Sequence, residues 1–254
     1  MGTILKEYRY TPTKIKRGYS GKSLYLNLTD LRFEQKEITD FMKEKLTGGK
    51  GFDLWYLWHA ITPETRWDSP ENEIVMSVGP LGGITQYSGT GKTVICSISP
   101  LTDIPIDSNV GGYFGPLLKF SGWDAFEIQG KSEKEILIFI DGNNGLIQVE
   151  DASEYPEDTH LLAEELTKKY AEDEDDMVNV SVACTGSGAK HSYMAMVNFS
   201  FYDPRRKVCR FKQAARGGLG TIMHDKKIKA LVVRYRGITP NLNDVADIST
   251  INKV

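Results

Sequence analysis

The feature that most constrains the fold of this chain is an internal repeat. The segment NEIVMSVGPLGG, a strand pattern that runs into glycines, has an echo in MVNVSVACTGSG. Farther along, GGYFGPLLKFSGWDAFEIQG is matched by GGLGTIMHDKKIKALVVRYRG. Gly82 and Gly186 are 104 residues apart, and Gly111 and Gly217 are 106 apart. Because the offset is nearly constant over such a distance, the two segments are copies of one structural unit.

Each copy of the repeat follows the same order of elements. A strand leads into a glycine loop, and a second strand leads into another glycine loop, a short helix and a last strand. Two such copies predict an α+β domain with pseudo-two-fold symmetry, built from two sheets with helices outside, in α/β/β/α layers. We expect the glycine loops of the two copies to meet near the pseudo-axis and to form the functional site.

The sequence divides into three parts around this repeat. Residues 1–18 are basic and aromatic without a clear period, and we expect them to form an arm or a loose terminus. Residues 19–236 form the predicted domain, which starts with a strand hairpin from Ser23 and continues with helices between residues 40 and 61 that glycines interrupt. Residues 237–254 are predicted to be a C-terminal tail.

Residues Gly91, Lys92 and Thr93 raise the possibility of a nucleotide site, because they match the end of a P-loop. A P-loop also needs a glycine where this chain has Gln86, and it must open a helix. The run that follows Lys92 is rich in β-branched residues and predicts a strand. Nucleotide binding therefore remains a minor alternative, which would require Lys92→Ala to abolish binding of ATP or GTP.

Composition excludes several other functions for this chain of 254 residues. A net charge of −3 gives no indication of a nucleic acid partner. No apolar run approaches the roughly 20 residues of a membrane span, and the N-terminus has no signal-peptide pattern, so we expect a cytoplasmic protein. Three single cysteines are too few for an iron–sulfur or structural zinc site, and the four histidines are dispersed.

The two glycine pairs have two possible interpretations. Glycine allows backbone to approach a ligand closely, and the start of a short helix offers unpaired N–H groups to anions. In the other interpretation the pairs are simply tight strand-to-helix turns. The duplication favours a ligand that is itself double, and four nearby cations are candidates to neutralise its anionic groups. These cations are Lys92, Lys119, Lys212 and Arg216.

Several segments resemble the N-terminal domain of the tungsten-containing aldehyde ferredoxin oxidoreductases. They are GPLGG, SPLTD, NVGGYFGPLLKFSGWDAFEIQGK, and ARGGLGTIM followed by KKIKALVVR. The resemblance extends from about residue 19 to residue 236 in the order of the family. It implies a two-sheet domain that carries tungsten, or molybdenum, bound to two pyranopterins, with one pterin on each half of the repeat.

The resemblance also assigns cofactor contacts to individual residues. Asn109 and Gln213 lie where the family offers backbone carbonyls to a magnesium ion that joins the pterin phosphates. Lys92 and Lys212 stand where the family commonly has arginine, so each position loses a bidentate donor. The implied cofactor-binding residues are Lys92, Asn109, Gly111, Gly112, Lys212, Gln213, Arg216, Gly217 and Gly218.

The resemblance further implies that other polypeptide is needed for activity. Family members continue into domains that hold an iron–sulfur cluster, which this chain does not ligate. We expect missing domains or a cysteine-rich subunit, ferredoxin as electron partner, and a possible homo-oligomer. The face of the domain that these missing domains or this subunit would cover is predicted to include Tyr87, Tyr113 and Phe114. A non-catalytic structural subunit that keeps the fold without metal is the alternative.

The sequence identifies no catalytic acid or base. Glu71, Glu73 and Asp124 are predicted to be turn and surface residues. The acidic run EDEDD, residues 172–176, is predicted to be a solvated connector between a helix and a strand.

Overall fold

The computed structural model describes residues 2–251 and residue 253, and this part of the chain contains two mixed sheets and six α-helices. The strands are β1 (Ile4–Arg9), β2 (Lys22–Asn27), β3 (Arg32–Glu37), β4 (Ile74–Ser77), β5 (Thr93–Ile98), β6 (Pro105–Val110), β7 (Ala125–Gln129), β8 (Ile136–Asp141), β9 (Leu146–Asp151), β10 (Val180–Cys184), β11 (Val197–Asp203), β12 (Val208–Ala214) and β13 (Ile228–Arg234). The helices are α1 (Asp40–Lys45), α2 (Lys50–Ala60), α3 (Phe114–Phe120), α4 (Thr159–Tyr170), α5 (Leu219–Asp225) and α6 (Ile248–Ile251).

The order of strands shows that the repeat covers almost the whole domain. One sheet has the order β3-β2-β7-β4-β5-β6, and the other has the order β1-β9-β8-β13-β10-β11-β12. In each sheet one pair is parallel, β2 with β7 and β8 with β13, and the other pairs are antiparallel. The predicted duplication is confirmed, and it also includes the hairpins β2–β3 and β8–β9, which the sequence comparison did not match.

The helices cover the sheets on the outside and also fill the space between them. α1 and α2 pack on the six-stranded sheet and α4 packs on the seven-stranded sheet, as the predicted layer order requires. α3 and α5 instead contact strands of both sheets, and their apolar residues belong to the central core. The domain therefore has helices within its core as well as outside it.

Local sequence explains where the outer helices begin. Asp158 caps α4, because its side chain accepts hydrogen bonds from the amides of His160 at 2.8 Å and Leu161 at 3.0 Å. α2 follows a glycine turn, and it contains Gly51 because a Cβ there would meet the Leu46 carbonyl oxygen at 2.3 Å. Glycine at this position thus permits close packing between α1 and α2.

Both ends of the chain are more ordered than the sequence predicted. Within the predicted arm, residues 4–9 are not loose, since they form β1, which pairs antiparallel with β9 at the edge of the seven-stranded sheet. In the C-terminal segment, Asn243 is buried and its backbone oxygen accepts a hydrogen bond from the Gly18 amide at 2.9 Å. The two termini therefore contribute to the folded domain.

Three acidic residues that were predicted to be exposed are buried. Glu73 and Asp124 have exposed fractions of 2% and 1%, and Asp176 is fully buried. Asp124 accepts amide hydrogen bonds from Ser20 and Gly21. Asp176 accepts a hydrogen bond from Arg234 Nε at 2.8 Å. The predictions for Asp124 and Asp176 were wrong because their hydrogen-bond partners are distant in sequence, and the prediction for Glu73 was wrong because its carboxylate is buried without such a partner for Oε2.

Candidate functional site

The candidate site is a cleft of about 470 Å³ between the two halves of the repeat. The first half contributes the glycine loop between β4 and β5 and the glycine pair before α3. The second half contributes Phe201 from β11 and Lys212 from β12, and Ile238 follows β13. The volume lies within the range of about 300 to 1,000 Å³ that is typical of small-molecule sites.

The first glycine loop, residues 78–92, folds back on itself to form one wall of the cleft. The Gly83 amide donates to the Thr90 carbonyl at 2.9 Å, and Thr90 Oγ1 donates to the Ile84 carbonyl at 2.8 Å. A Cβ at Gly91 would meet the Gly112 carbonyl oxygen at 2.1 Å. The loop thus contacts the glycine pair before α3, and this approach requires glycine at position 91.

The glycine pair before α3 borders open space. A Cβ built at Gly111 or at Gly112 meets no heavy atom within 4 Å. Gly112 has φ +121°, a conformation that favours glycine, whereas Gly111 does not have a positive φ. Gly111 is therefore not required by local packing, and the space beside it is available to a ligand.

Two lysines from opposite halves supply the only charges among the described residues that line this cleft. Lys92 ends the first glycine loop, and Lys212 lies on β12; both side chains are exposed. The other lining residues are glycine, threonine, proline and apolar residues, including Tyr113, whose ring lies edge-on to Phe201 with centroids 6.3 Å apart. A flat, largely apolar ligand with anionic groups fits this combination.

The structure places the second glycine pair differently from the first. A Cβ at Gly217 would meet the Ile106 side chain at 2.4 Å, and a Cβ at Gly218 would meet the Tyr193 carbonyl oxygen at 2.0 Å. The Arg216 amide donates to Ser108 Oγ at 3.2 Å. This pair therefore packs tightly against other parts of the chain, and the two halves of the site are not equivalent.

The helix positions show how the two glycine pairs correspond. α3 begins two residues after Gly112, whereas α5 begins directly after Gly218. Aligning the helix starts therefore places Gly112 opposite Gly217, one residue away from the match that the glycine pairs suggested. The third glycine of each copy, Gly115 or Gly220, carried the correct offset of 105 residues in the sequence.

Of the nine predicted cofactor residues, the cleft brings together Lys92, Gly111, Gly112 and Lys212. Asn109 lies on β6 and Gln213 on β12, each an edge strand of its sheet, and these two strands contact each other. Arg216, Gly217 and Gly218 do not line the cleft. Phe201 and Ile238 line it without having been predicted, and no local motif in the sequence marks them.

Two other predictions about this region were wrong. Lys119 does not reach the cleft, because it is fully buried beneath the first glycine loop. Burial lowers the pKa of Lys119 to about 7, and the nearby Asp124 carboxylate opposes that change. Phe114 is buried with 1% of its surface exposed, whereas Tyr87 and Tyr113 are each 52% exposed.

A larger cleft of about 890 Å³ lies elsewhere, beside the C-terminal end of α5. It contains none of the predicted cofactor residues. Two of its lysines are already paired, Lys134 with Asp151 at 2.5 Å and Lys190 with Glu157. Its charge is thus partly neutralised, and the cleft at the glycine loops is the better candidate.

Comparisons with known proteins agree on one family. The family described as "Aldehyde ferredoxin oxidoreductase, N-terminal domain" matches residues 23–235. The tungsten-containing aldehyde ferredoxin oxidoreductase of Pyrococcus horikoshii is 32% identical over 224 residues, which are 85% of this chain and 33% of that protein. The aliphatic sulfonate oxidoreductase, WOR-like subunit, of Pyrococcus furiosus is 26% identical over 232 residues, which are 89% of this chain and 36% of that protein.

A solved structure gives the same fold. The active site complex BamBC of benzoyl coenzyme A reductase, in complex with 1,5 dienoyl-CoA, contains a chain with a TM-score of 0.72 and 28% identity. The match covers 85% of this chain and 31% of that one. This chain spans about a third of the length of the relatives it matches. It belongs to the aldehyde ferredoxin oxidoreductase family, and the matched region is the N-terminal domain.

Proposed function

We propose that the cleft binds a pyranopterin of a tungsten, or molybdenum, cofactor, and that this chain is the pterin-binding part of an oxidoreductase. The complete enzyme oxidises aldehydes or carries out a related low-potential reaction with ferredoxin and an iron–sulfur cluster in the cytoplasm. One observation carries the proposal: open space beside Gly111 and Gly112 adjoins a mostly apolar cleft, and among the described residues only Lys92 and Lys212 bring charge to its lining.

The lining residues fit the parts of a pterin cofactor. Gly111 and Gly112 let the flat ring system lie against backbone, since no side chain occupies that space. Lys92 and Lys212 approach from opposite halves and neutralise anionic groups at the two ends of the ligand. The bound cofactor supplies the redox chemistry, and this chain binds and orients it.

The proposal includes a magnesium ion in addition to tungsten or molybdenum. Edge strands leave backbone carbonyls without a strand partner on one side. β6 with Asn109 and β12 with Gln213 are such edges and contact each other. We assign their backbone carbonyls to a magnesium ion between the cofactor phosphates.

The second pterin position belongs to the other half of the repeat. Gly217 and Gly218 are packed on their Cβ sides, so they would contact the second pterin through their backbone groups. The exposed side chain of Arg216 would add a further contact. In this proposal the second half contacts the pterin with backbone atoms of a tight turn and with one side chain, whereas the first half offers open space beside its glycine pair.

Other polypeptide completes the enzyme. The relatives are about three times as long as the region matched here, and the similar solved chain belongs to a complex. Tyr87 and Tyr113 expose aromatic surface beside the cleft. We assign this surface to contact with further domains or a cysteine-rich iron–sulfur subunit; ferredoxin and a second copy of the chain are the other partners.

A non-catalytic structural subunit is the second candidate function. Lys92 and Lys212 offer point charges where arginine would offer a planar pair of donors. Weaker cofactor binding at both positions would leave a domain that keeps the fold and holds no metal. Metal analysis of the anaerobically purified chain, alone and with its native partners, separates the two candidates.

The proposal is tested by filling the open space beside the glycine pair. Gly111→Val is expected to reduce pterin and tungsten content at least about 5-fold while leaving the melting temperature within about 3 °C, because the side chain enters ligand space. Tungsten is measured by mass spectrometry and pterin by fluorescence after oxidation. Gly188→Val is the matched control, since Gly188 is exposed, also has no neighbour within 4 Å and lies outside the cleft.

Two results would contradict the proposal. Equal loss of cofactor in Gly111→Val and Gly188→Val would show that valine acts through the fold. Absence of pterin and metal from the wild-type chain in its native complex would favour the structural subunit.

A further inference from the structure

The inference concerns a buried cluster beneath the first glycine loop. Lys119 Nζ on α3 donates to three oxygens: the Pro80 carbonyl at 3.1 Å, the Gly82 carbonyl at 2.6 Å and Asn243 Oδ1 at 2.9 Å. A charged ammonium has three N–H donors, so each donor has one acceptor. Lys119 has no exposed surface. All three donors of the side chain are thus satisfied by this chain, and they join α3 to the first glycine loop and to the C-terminal segment.

The C-terminal segment is held at the same place by further contacts. Asn243 Nδ2 donates to the Pro80 carbonyl at 2.6 Å, so this carbonyl accepts from both Asn243 and Lys119. The Arg17 amide donates to Asp244 Oδ2 at 3.0 Å. The segment also places Ile238 in the lining of the cleft. It therefore contributes to the site although it lies beyond the matched family region, which ends at residue 235.

The internal repeat shows that this lysine is specific to the first half. Aligning α3 with α5 places Lys119 opposite His224, which is half-buried and lines the larger cleft instead. A buried cation is costly unless hydrogen bonds and charge compensate it. The buried lysine of the second half, Lys226, lies two positions later and donates to the Gly130 carbonyl at 2.9 Å, so it holds no glycine loop of the cleft.

We propose that Lys119 and Asn243 are positioning residues for the ligand cleft. Together they form a clasp that holds the base of the first glycine loop at Pro80 and Gly82 and makes residues 237–244 part of the binding site. Gly83, Ile84, Gly91 and Lys92 follow directly in this loop and line the cleft. This inference rests on the proposed pterin-binding function.

Asn243 variants test the clasp without removing the buried charge. Asn243→Ala loses both contacts, whereas Asn243→Asp keeps an acceptor for Lys119 and loses the donor to Pro80. Lys119→Met removes the cation. Asp247→Ala is the control, because the side-chain hydrogen bonds of Asp247 with described residues go to Ser249 and Thr250 in the same segment.

Amide hydrogen exchange of residues 79–92, measured on the full chain without added ligand, is the first readout. We expect about 10-fold faster exchange in Asn243→Ala and Lys119→Met, an intermediate rate in Asn243→Asp, and no change in Asp247→Ala. Exchange rates in Asn243→Ala and Lys119→Met that equal the wild-type rate would overturn the clasp.

Pterin content, measured by fluorescence after oxidation, is the second readout. We expect it to fall at least about 3-fold in Asn243→Ala and to recover partly in Asn243→Asp, a graded order that general destabilisation would not produce. Normal pterin content in both Asn243→Ala and Lys119→Met would overturn the positioning role. A wild-type chain without pterin would contradict the proposed function instead, and the exchange measurement would then decide the clasp alone.

Discussion

Glu73 offers the most direct test of the electrostatic reasoning, because it is a carboxylic acid buried under α2. Its exposed fraction is 2%, and Oε2 has no hydrogen-bond partner among the described residues. Burial, together with the nearby Glu127 carboxylate, raises its pKa from 4.5 to about 8, although Lys36 and Lys226 oppose the change. Replacement by glutamine keeps the shape and removes the titration.

The pKa of Glu73 predicts the sign and size of the effect. Between pH 4.5 and 8 the unfolded chain has lost this proton and the folded chain retains it, so rising pH favours unfolding. At about 1.4 kcal/mol per pH unit, this interval corresponds to at most about 5 kcal/mol in the free energy of unfolding. Local relaxation reduces such values, and we expect Glu73→Gln to be more stable than wild type by about 2 to 4 kcal/mol at pH 8.5.

Urea unfolding followed by circular dichroism at pH 5.5 and pH 8.5 measures this difference. At pH 5.5 the advantage of Glu73→Gln should be at most about 1.4 kcal/mol, because only one pH unit of the interval between the unfolded and folded pKa values lies below this pH. Glu71→Gln is the control, since Glu71 is exposed and lies two residues earlier. A difference between wild type and Glu73→Gln that is the same at both pH values, within about 0.5 kcal/mol, would refute the reasoning.

Three further perturbations test packing. Gly218→Ala should lower the free energy of unfolding, measured by urea titration, by more than about 2 kcal/mol, because Gly218 has φ +68° and a Cβ there would meet a carbonyl oxygen. Gly111→Ala should lower it by less than about 1 kcal/mol in the same titration. Arg234→Leu should cost about 3 to 5 kcal/mol in chemical denaturation, since it leaves the buried Asp176 without its cation. Trp58→Ser should change the melting temperature by less than about 2 °C, because Trp58 is 79% exposed.

The architecture was largely predictable from the repeat. Strand, glycine loop and short helix recur in the same order, and the spacing of 104 to 106 residues fixed which elements correspond. The hairpin β8–β9 escaped the comparison because its sequence, ILIFIDGNNGLIQVED, is not similar to that of β2–β3. Equivalent strands share position and pairing, and only some also share side chains.

Buried charges were not predictable, because their burial depends on partners far away in the sequence. Asp176 stands in a run of five acidic residues, and 58 residues separate it from Arg234, with which it pairs. Lys119 lies near the C-terminal end of a short helix, where lysine is common. Its hydrogen-bond acceptors nevertheless come from residues 80, 82 and 243. Composition and periodicity carry no signal for such contacts.

The unequal halves bear on how a duplicated fold forms a single cleft. A symmetric site would need both glycine pairs open, but Gly217 and Gly218 are held against Ile106 and Tyr193, whereas Gly111 and Gly112 border open space. Gly217 therefore fixes the second half against β6 of the first, and this contact brings β12 and its Lys212 to the cleft. One glycine pair serves packing between the halves, and the other remains free for a ligand. A single cleft built from both halves follows from that division, and it explains why Lys92 and Lys212, which do not correspond in the repeat, line the same space.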